Sequence, residues 1–152
     1  NAVAIGIFRI PPSLSETYYL YKNKWNIGFV FPIMMYLVVG FMMPAWLTLS
    51  EGSPFQFLSF LAPASIAFVG TAPAFKSSKL ENSVHTVAAI VAAICSLLWV
   101  ILVTPYWWII VLALLVFTLE ALLTQTLSYA KVYWLETVAF ISTFMSAILM
   151  SI

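Results

Sequence analysis

Apolar residues run almost unbroken through five stretches, 25–49, 55–75, 84–104, 106–124 and 133–152, and the polar residues gather between them. A helix that crosses a bilayer needs ~20 mostly apolar residues. In hydrocarbon the backbone N–H and C=O groups must be satisfied within the segment, and a continuous helix does this. Strands of a membrane barrel are shorter and alternate in polarity, and these runs do not alternate. The pattern predicts an all-α fold, a polytopic transmembrane helical bundle with five complete spans in a single domain, 1–152. Residues 1–10 add a truncated N-terminal span, because NAVAIGIF reads as the end of an apolar run that Arg9 closes. A cleaved signal peptide is the rival reading, and it fits poorly because cytoplasmic-type charge follows.

The connections are short. Residues 51–54 (EGSP) join the first two spans, and Thr104-Pro105 leaves almost no loop between the third and fourth. A connection that short predicts that the third and fourth helices are antiparallel neighbours. The other two connections, 76–83 and 125–132, are longer. No linker or internal repeat divides the chain.

Composition agrees with this pattern. Hydrophobic residues make up 64% of the chain and charged residues 7%, with a mean hydropathy of +1.07. Soluble domains carry ~25% charged residues, and a water-facing surface could not hide this much apolar area. The lipid bilayer is therefore the expected surrounding. A net charge of +1 gives no reason to expect nucleic acid as a partner. Cys95 is the lone cysteine, which excludes an intrachain disulfide and a cysteine metal site.

Charge also orients the chain. Arg9, Lys22, Lys24, Lys76, Lys79 and Lys131 all fall in alternate connections, and the remaining connections carry no Lys or Arg. Short Lys/Arg-rich loops stay in the cytoplasm. This predicts a multi-pass cell-membrane protein with the loops of Lys22, Lys24, Lys76, Lys79 and Lys131 inside and the C-terminus outside. Trp25, Trp46, Tyr106, Trp107, Trp108, Tyr129, Tyr133 and Trp134 stand at span ends, where amphipathic rings settle at headgroup level.

Within the spans, Pro32 and Pro44 interrupt the first, and Pro63 and Pro73 the second. Each removes an amide donor and crowds the carbonyl four residues back, so kinks are expected. Pro63 frees the carbonyl of Ser59. The third span repeats small residues, Ala88, Ala92 and Ser96 on one row and Ala89 and Ala93 on the next. Small side chains let backbones approach in lipid, which predicts a helix-packing face and a central place for this span.

An ionisable residue inside a span is costly, and each is a site hypothesis. Glu120 follows LALLVFTL, about 20 Å down the fourth span from Tyr106 at ~1.5 Å per residue. A short side chain cannot reach water from there, so Glu120 is expected to face the bundle interior. His85 opens the third span from the cytoplasmic side, with Glu81 four residues earlier; Glu16 and Glu136 belong to the same leaflet. The prediction is a cytoplasm-facing polar cluster of His85, Glu120, Glu16, Glu81 and Glu136, centred on the first two. The plainer alternative treats Glu81, Glu136 and Lys131 as solvated loop-edge charges. No catalytic residue, cofactor or metal is assigned. One histidine falls short of a catalytic zinc set, no G-x-S-x-G elbow is present, and the glycines do not form a phosphate loop.

The segments PPSLSETYY and FVGTAPAFKSSKLENSVHTVAA together resemble the six-span family of Frag and autophagy-modulator (DRAM-type) membrane proteins. The resemblance lies in the order: a short apolar start, an S-x-S-E loop, two spans, a His-initiated Ala-rich span, then two more. That family carries Ile-Ser-Asp where this chain has Leu14-Ser15-Glu16, and the positive charges put this loop inside. The chain is equally similar to uncharacterised small bacterial or phage multi-pass membrane proteins. The resemblance implies a multi-pass bundle and no particular activity. The seven-span lipid hydrolases related to alkaline ceramidases need three His, an Asp and a Ser; one His and no Asp argue against them.

The functional expectation is a non-enzymatic integral membrane protein that acts through helix packing, homo-oligomerisation or binding of a membrane protein partner. One alternative is a small proton- or cation-coupled transporter or channel using Glu120 and His85. A lipid-active intramembrane enzyme ranks last for want of a nucleophile and ligands.

Overall fold

The computed structural model describes residues 10–152. The expected truncated span at 1–10 lies almost wholly outside them. A single 3-10 turn, Leu14–Glu16, leads into six helices: α1 (Thr17–Trp25), α2 (Val30–Leu49), α3 (Leu58–Thr71), α4 (Lys79–Val103), α5 (Trp108–Leu123) and α6 (Lys131–Ser151). No strand occurs among the described residues. The all-helical expectation therefore holds, and α2, α4 and α6 are long and apolar enough to cross a membrane.

Two of the five expected spans form shorter helices. Helix α3 has 14 residues and α5 has 16, about 21 and 24 Å at ~1.5 Å per residue. Tight turns precede α3, with Gln56 N–H donating to Ser53 O and Leu58 N–H to Phe55 O. At its other end Pro73 drives Ala72 out of the helical region, to φ −111° and ψ 56°. Pro73 therefore ends the helix rather than kinking it. Pro32 sits harmlessly in the first turn of α2, while Pro44 and Pro63 lie inside α2 and α3.

The first expected span also starts late. Trp25 ends α1, and Asn26 takes the left-handed conformation, φ 56° and ψ 29°, with its N–H returning to Lys22 O. Asn tolerates that region because its short polar side chain bonds locally. The chain re-enters helix only at Val30.

Packing follows α2–α3–α4–α6, with α5 laid against the outside of α6. Helices α2 and α6 touch only lightly, so the four form a ring with one loose seam. Gly70 sets the α2–α3 approach: a Cβ there would stand 3.0 Å from Met35 Cβ. The small-residue row of α4 is buried, with Ala88, Ala92 and Ser96 all enclosed, as expected for a packing face.

Helices α4 and α5 are not a packed pair, contrary to the short-loop expectation. Thr104 is extended, φ −110° and ψ 154°, as a residue before proline must be. Tyr106 then donates its hydroxyl to Leu149 O at 3.2 Å, which ties the turn to α6 instead.

Three clusters fill the interior. Near one end, Trp46 and Trp99 stack at 5.1 Å among Leu58, Ala62, Cys95 and Ala147. Phe31, Val69 and Ala88 pack near the other end, and Ala121, Ala130, Tyr133 and Trp134 fasten α5 to α6. Outside, α5 displays Leu112, Leu115, Val116, Leu119 and Leu122, each about half exposed. A soluble monomer rarely shows an apolar patch so continuous.

Candidate functional site

The first polar site is the N-terminal turn. Ser13 caps it by accepting Glu16 N–H at 3.3 Å, and Thr17 donates its hydroxyl to Leu14 O at 2.6 Å. Closing the turn exposes Leu14 N–H and Ser15 Oγ to the helices. Leu14 N–H donates to Glu136 Oε2 at 2.7 Å. Ser15 Oγ lies 2.8 Å from His85 Nε2, and His85 Nδ1 lies 2.9 Å from Ala72 O. A carbonyl only accepts, so Nδ1 carries a proton, and the neutral ring takes the Ser15 hydroxyl proton on Nε2. The imidazole also stacks on Phe75 at 4.5 Å.

Two more ties close the same end. Tyr133 N–H donates to Pro12 O at 3.0 Å. Lys76 pairs with Glu16 at 2.6 Å, and its backbone N–H donates to the Tyr19 hydroxyl at 2.7 Å. The turn thus bolts α1, the α3–α4 connection, α4 and α6 together. It also gathers Lys76, Lys79 and Lys131 toward one end of the bundle.

Of the predicted cluster, His85, Glu136 and Glu16 meet this turn. Glu81 does not: it lies in the first turn of α4, where Ser78 caps the helix by accepting Glu81 N–H at 3.2 Å, and its carboxylate accepts from Ser77 Oγ. Glu120 does not either. It is exposed on α5, and its carboxylate makes no hydrogen bond or ion pair among the described residues. The expectation that Glu120 faces inward fails because α5 turns its small residues, Ala113 and Ala121, toward α6. His85 has both ring nitrogens engaged elsewhere, so the two predicted central residues are not partners.

The second feature is a cleft inside the ring. It leaves about 70 Å³ for the centres of water-sized atoms and runs between α2, α3, α4 and α6. Ser15 and Glu136 stand at one end and Trp46 at the other. Ala89, Ala92 and Ala93 form part of its wall. The small residues of α4 therefore do two things: some seal the helix contacts, and others leave room.

Beyond Trp46 lies a buried polar chain: Trp99 Nε1 donates to Ser50 Oγ at 2.7 Å, and Ser50 Oγ lies 2.6 Å from Ser59 Oγ. Trp46 Nε1, Ser142 Oγ and Ser146 Oγ are buried without a hydrogen-bond partner among the described residues. Sequence reasoning treated Trp46 as a belt residue and passed over these serines. The four-residue spacing of Ser142 and Ser146 was the available signal. Among the described residues, no three His, Cys, Asp or Glu side chains converge as a metal-ligand set.

No protein-family model, no curated protein and no solved structure matches this chain.

Proposed function

We propose that this chain is a non-enzymatic multi-pass membrane protein that acts by lateral association, with α5 as the face offered to a second copy or to another membrane protein. The observation that carries the reading is Glu120, exposed and with a carboxylate that makes no hydrogen bond among the described residues, on a helix otherwise covered with leucine and valine. It lies about 18 Å along α5 from Trp108 at ~1.5 Å per residue. A carboxylate facing lipid costs about 2.5–3.5 kcal/mol at the centre of a span on insertion scales, and part of that cost remains in the last turn of α5, where Glu120 sits. A partner helix presenting a hydroxyl, amide or cation would remove that cost.

The membrane assignment rests on three helices of spanning length and on the exposed apolar surface of α5. Helices α3 and α5, though short, each join one end of the bundle to the other, which supports five crossings. With the lysines at one end, the positive-inside rule puts that end in the cytoplasm. The Frag and DRAM-type resemblance is compatible with this layout and adds no activity.

Transport through a His85–Glu120 pair is the weaker reading, since His85 is committed to Ala72 and Ser15. The test of association is cysteine cross-linking in native membranes, with Leu115→Cys or Leu119→Cys on α5 and Ile94→Cys on α4 as control. Cross-links from α5 alone support the reading. A chain that stays monomeric in bilayers, with no α5 cross-link to any protein, sinks it.

A further inference from the structure

The cleft inside the ring is the remaining feature that packing does not explain. Its walls are apolar for nearly their whole length. Two hydroxyls on the wall are turned to their own helices: Ser96 donates to Ala92 O at 2.7 Å and Thr143 to Ala139 O at 2.7 Å. One donor is left over. Trp46 is 3% exposed, lines the cleft, and its Nε1 has no acceptor among the described residues. Buried N–H groups are almost always paired, so an orphan calls for an explanation. Water is a poor one, because an ordered water needs two to four polar partners, and the Ser96 and Thr143 hydroxyls that line the cleft already donate to their own helices.

The dimensions narrow the occupant. Trp46 packs at the level of Ala147 on α6, and Glu136 marks the other end. Eleven residues of helix separate them, roughly 16 Å at ~1.5 Å per residue. The cleft's 70 Å³ spread over that length is a thin bore. Adding the occupant's own radius, half of a ~3.5–4.0 Å carbon contact, makes it one polymethylene chain wide.

The ends give a direction. Glu136 is already engaged by Leu14 N–H, while the Trp46 indole N–H lacks an oxygen acceptor among the described residues. Both put a carbonyl at the Trp46 end and methylenes toward Glu136. The loose α2–α6 seam, whose two helices line the cleft with Val38 and Met42 and with Phe140 and Phe144, offers a way in.

We propose that the cleft binds one acyl chain, with its carboxyl or ester carbonyl oxygen accepting from Trp46 Nε1. The chain belongs either to a free fatty acid or to a bilayer phospholipid that threads one tail through the seam. The chemistry is the same, and a measurement separates the sources.

The test uses the full chain purified in mild detergent. Native mass spectrometry reads the bound adduct, and radiolabelled palmitate gives the affinity after delipidation. One adduct per chain is expected, with a fatty-acid mass in one case and a phospholipid mass in the other. Trp46→Phe keeps the ring stacked on Trp99 and removes the donor; affinity for the chain should fall roughly three- to tenfold. Ala93→Leu and Ala92→Phe narrow the bore and should abolish retention. Ser142→Ala, buried but away from the cleft, should bind as the parent does. If Ala92→Phe does not fold, the other three variants still decide. No saturable palmitate binding and no retained lipid, or unchanged binding in Trp46→Phe and Ala93→Leu, overturns the proposal.

Discussion

His85 on α4 holds Ser15 at 2.8 Å across a separation of 70 residues. This bond joins the N-terminal turn to the middle of the chain inside a buried site. His85→Ala should therefore leave both the Ser15 hydroxyl and the Ala72 carbonyl unpaired, at about 2–3 kcal/mol. Ser15→Ala should cost about 1 kcal/mol. In a double-mutant cycle the pair should couple by about 0.5–1.5 kcal/mol. Unfolding in detergent–denaturant mixtures measures all three, and a coupling near zero would remove His85 from this role.

Glu136 tests the same turn from the other side. Glu136→Gln keeps an oxygen for Leu14 N–H and should shift stability by under about 1 kcal/mol. Glu136→Ala strands that donor and should cost about 1–3 kcal/mol. Limited proteolysis gives an independent readout: cutting between residues 10 and 16 should speed up for Ala and not for Gln.

Gly70 and Gly40 should respond oppositely. A Cβ at Gly70 would meet Met35 Cβ at 3.0 Å, while nothing lies within 4 Å at Gly40. Gly70→Leu must push α2 and α3 apart, at about 1–3 kcal/mol. Gly40→Ala should be neutral or stabilising by up to about 1 kcal/mol, because Ala favours helix over Gly. Thermal unfolding of the two variants side by side decides it, and equal destabilisation would contradict the α2–α3 contact.

Glu120→Leu should leave the monomer's own stability within about 0.5 kcal/mol, since the carboxylate makes no bond inside the bundle. Lateral association should change measurably, read as cross-linking yield in membranes. A large loss of monomer stability would mean that the side chain packs inward after all.

Periodicity and run length were enough to place helices, because spanning runs are long and unambiguous. The ends were harder. Trp25 looked like the start of a span, yet the left-handed turn at Asn26 divides two helices there, and nothing in a hydropathy profile marks it. Thr104-Pro105 looked like a hairpin, but loop length says nothing about where a proline sends the chain. The packing role of Ala88, Ala92 and Ser96 was readable from spacing alone. Three of the five members of the polar cluster were readable as well, since Glu16 precedes α1 and His85 and Glu136 lie in the second turns of α4 and α6, at one end. Glu120 was misjudged because burial on α5 depends on which neighbour it meets, and that neighbour is α6. The cleft could not be read at all: it is a volume between four helices, and no residue carries it singly.

Helix α5 rests on one neighbour, while each helix of the ring leans on two. Its attachment is confined to a narrow strip through Ile109, Ala113 and Ala121 and to the aromatic pad at Tyr133 and Trp134. The described residues thus make a barrel of four staves, slack at one joint, with an outrigger. Swinging the outrigger aside would break no joint in the barrel, so under the proposed association that single rod would be the part to trade one companion for another while the remainder stays assembled.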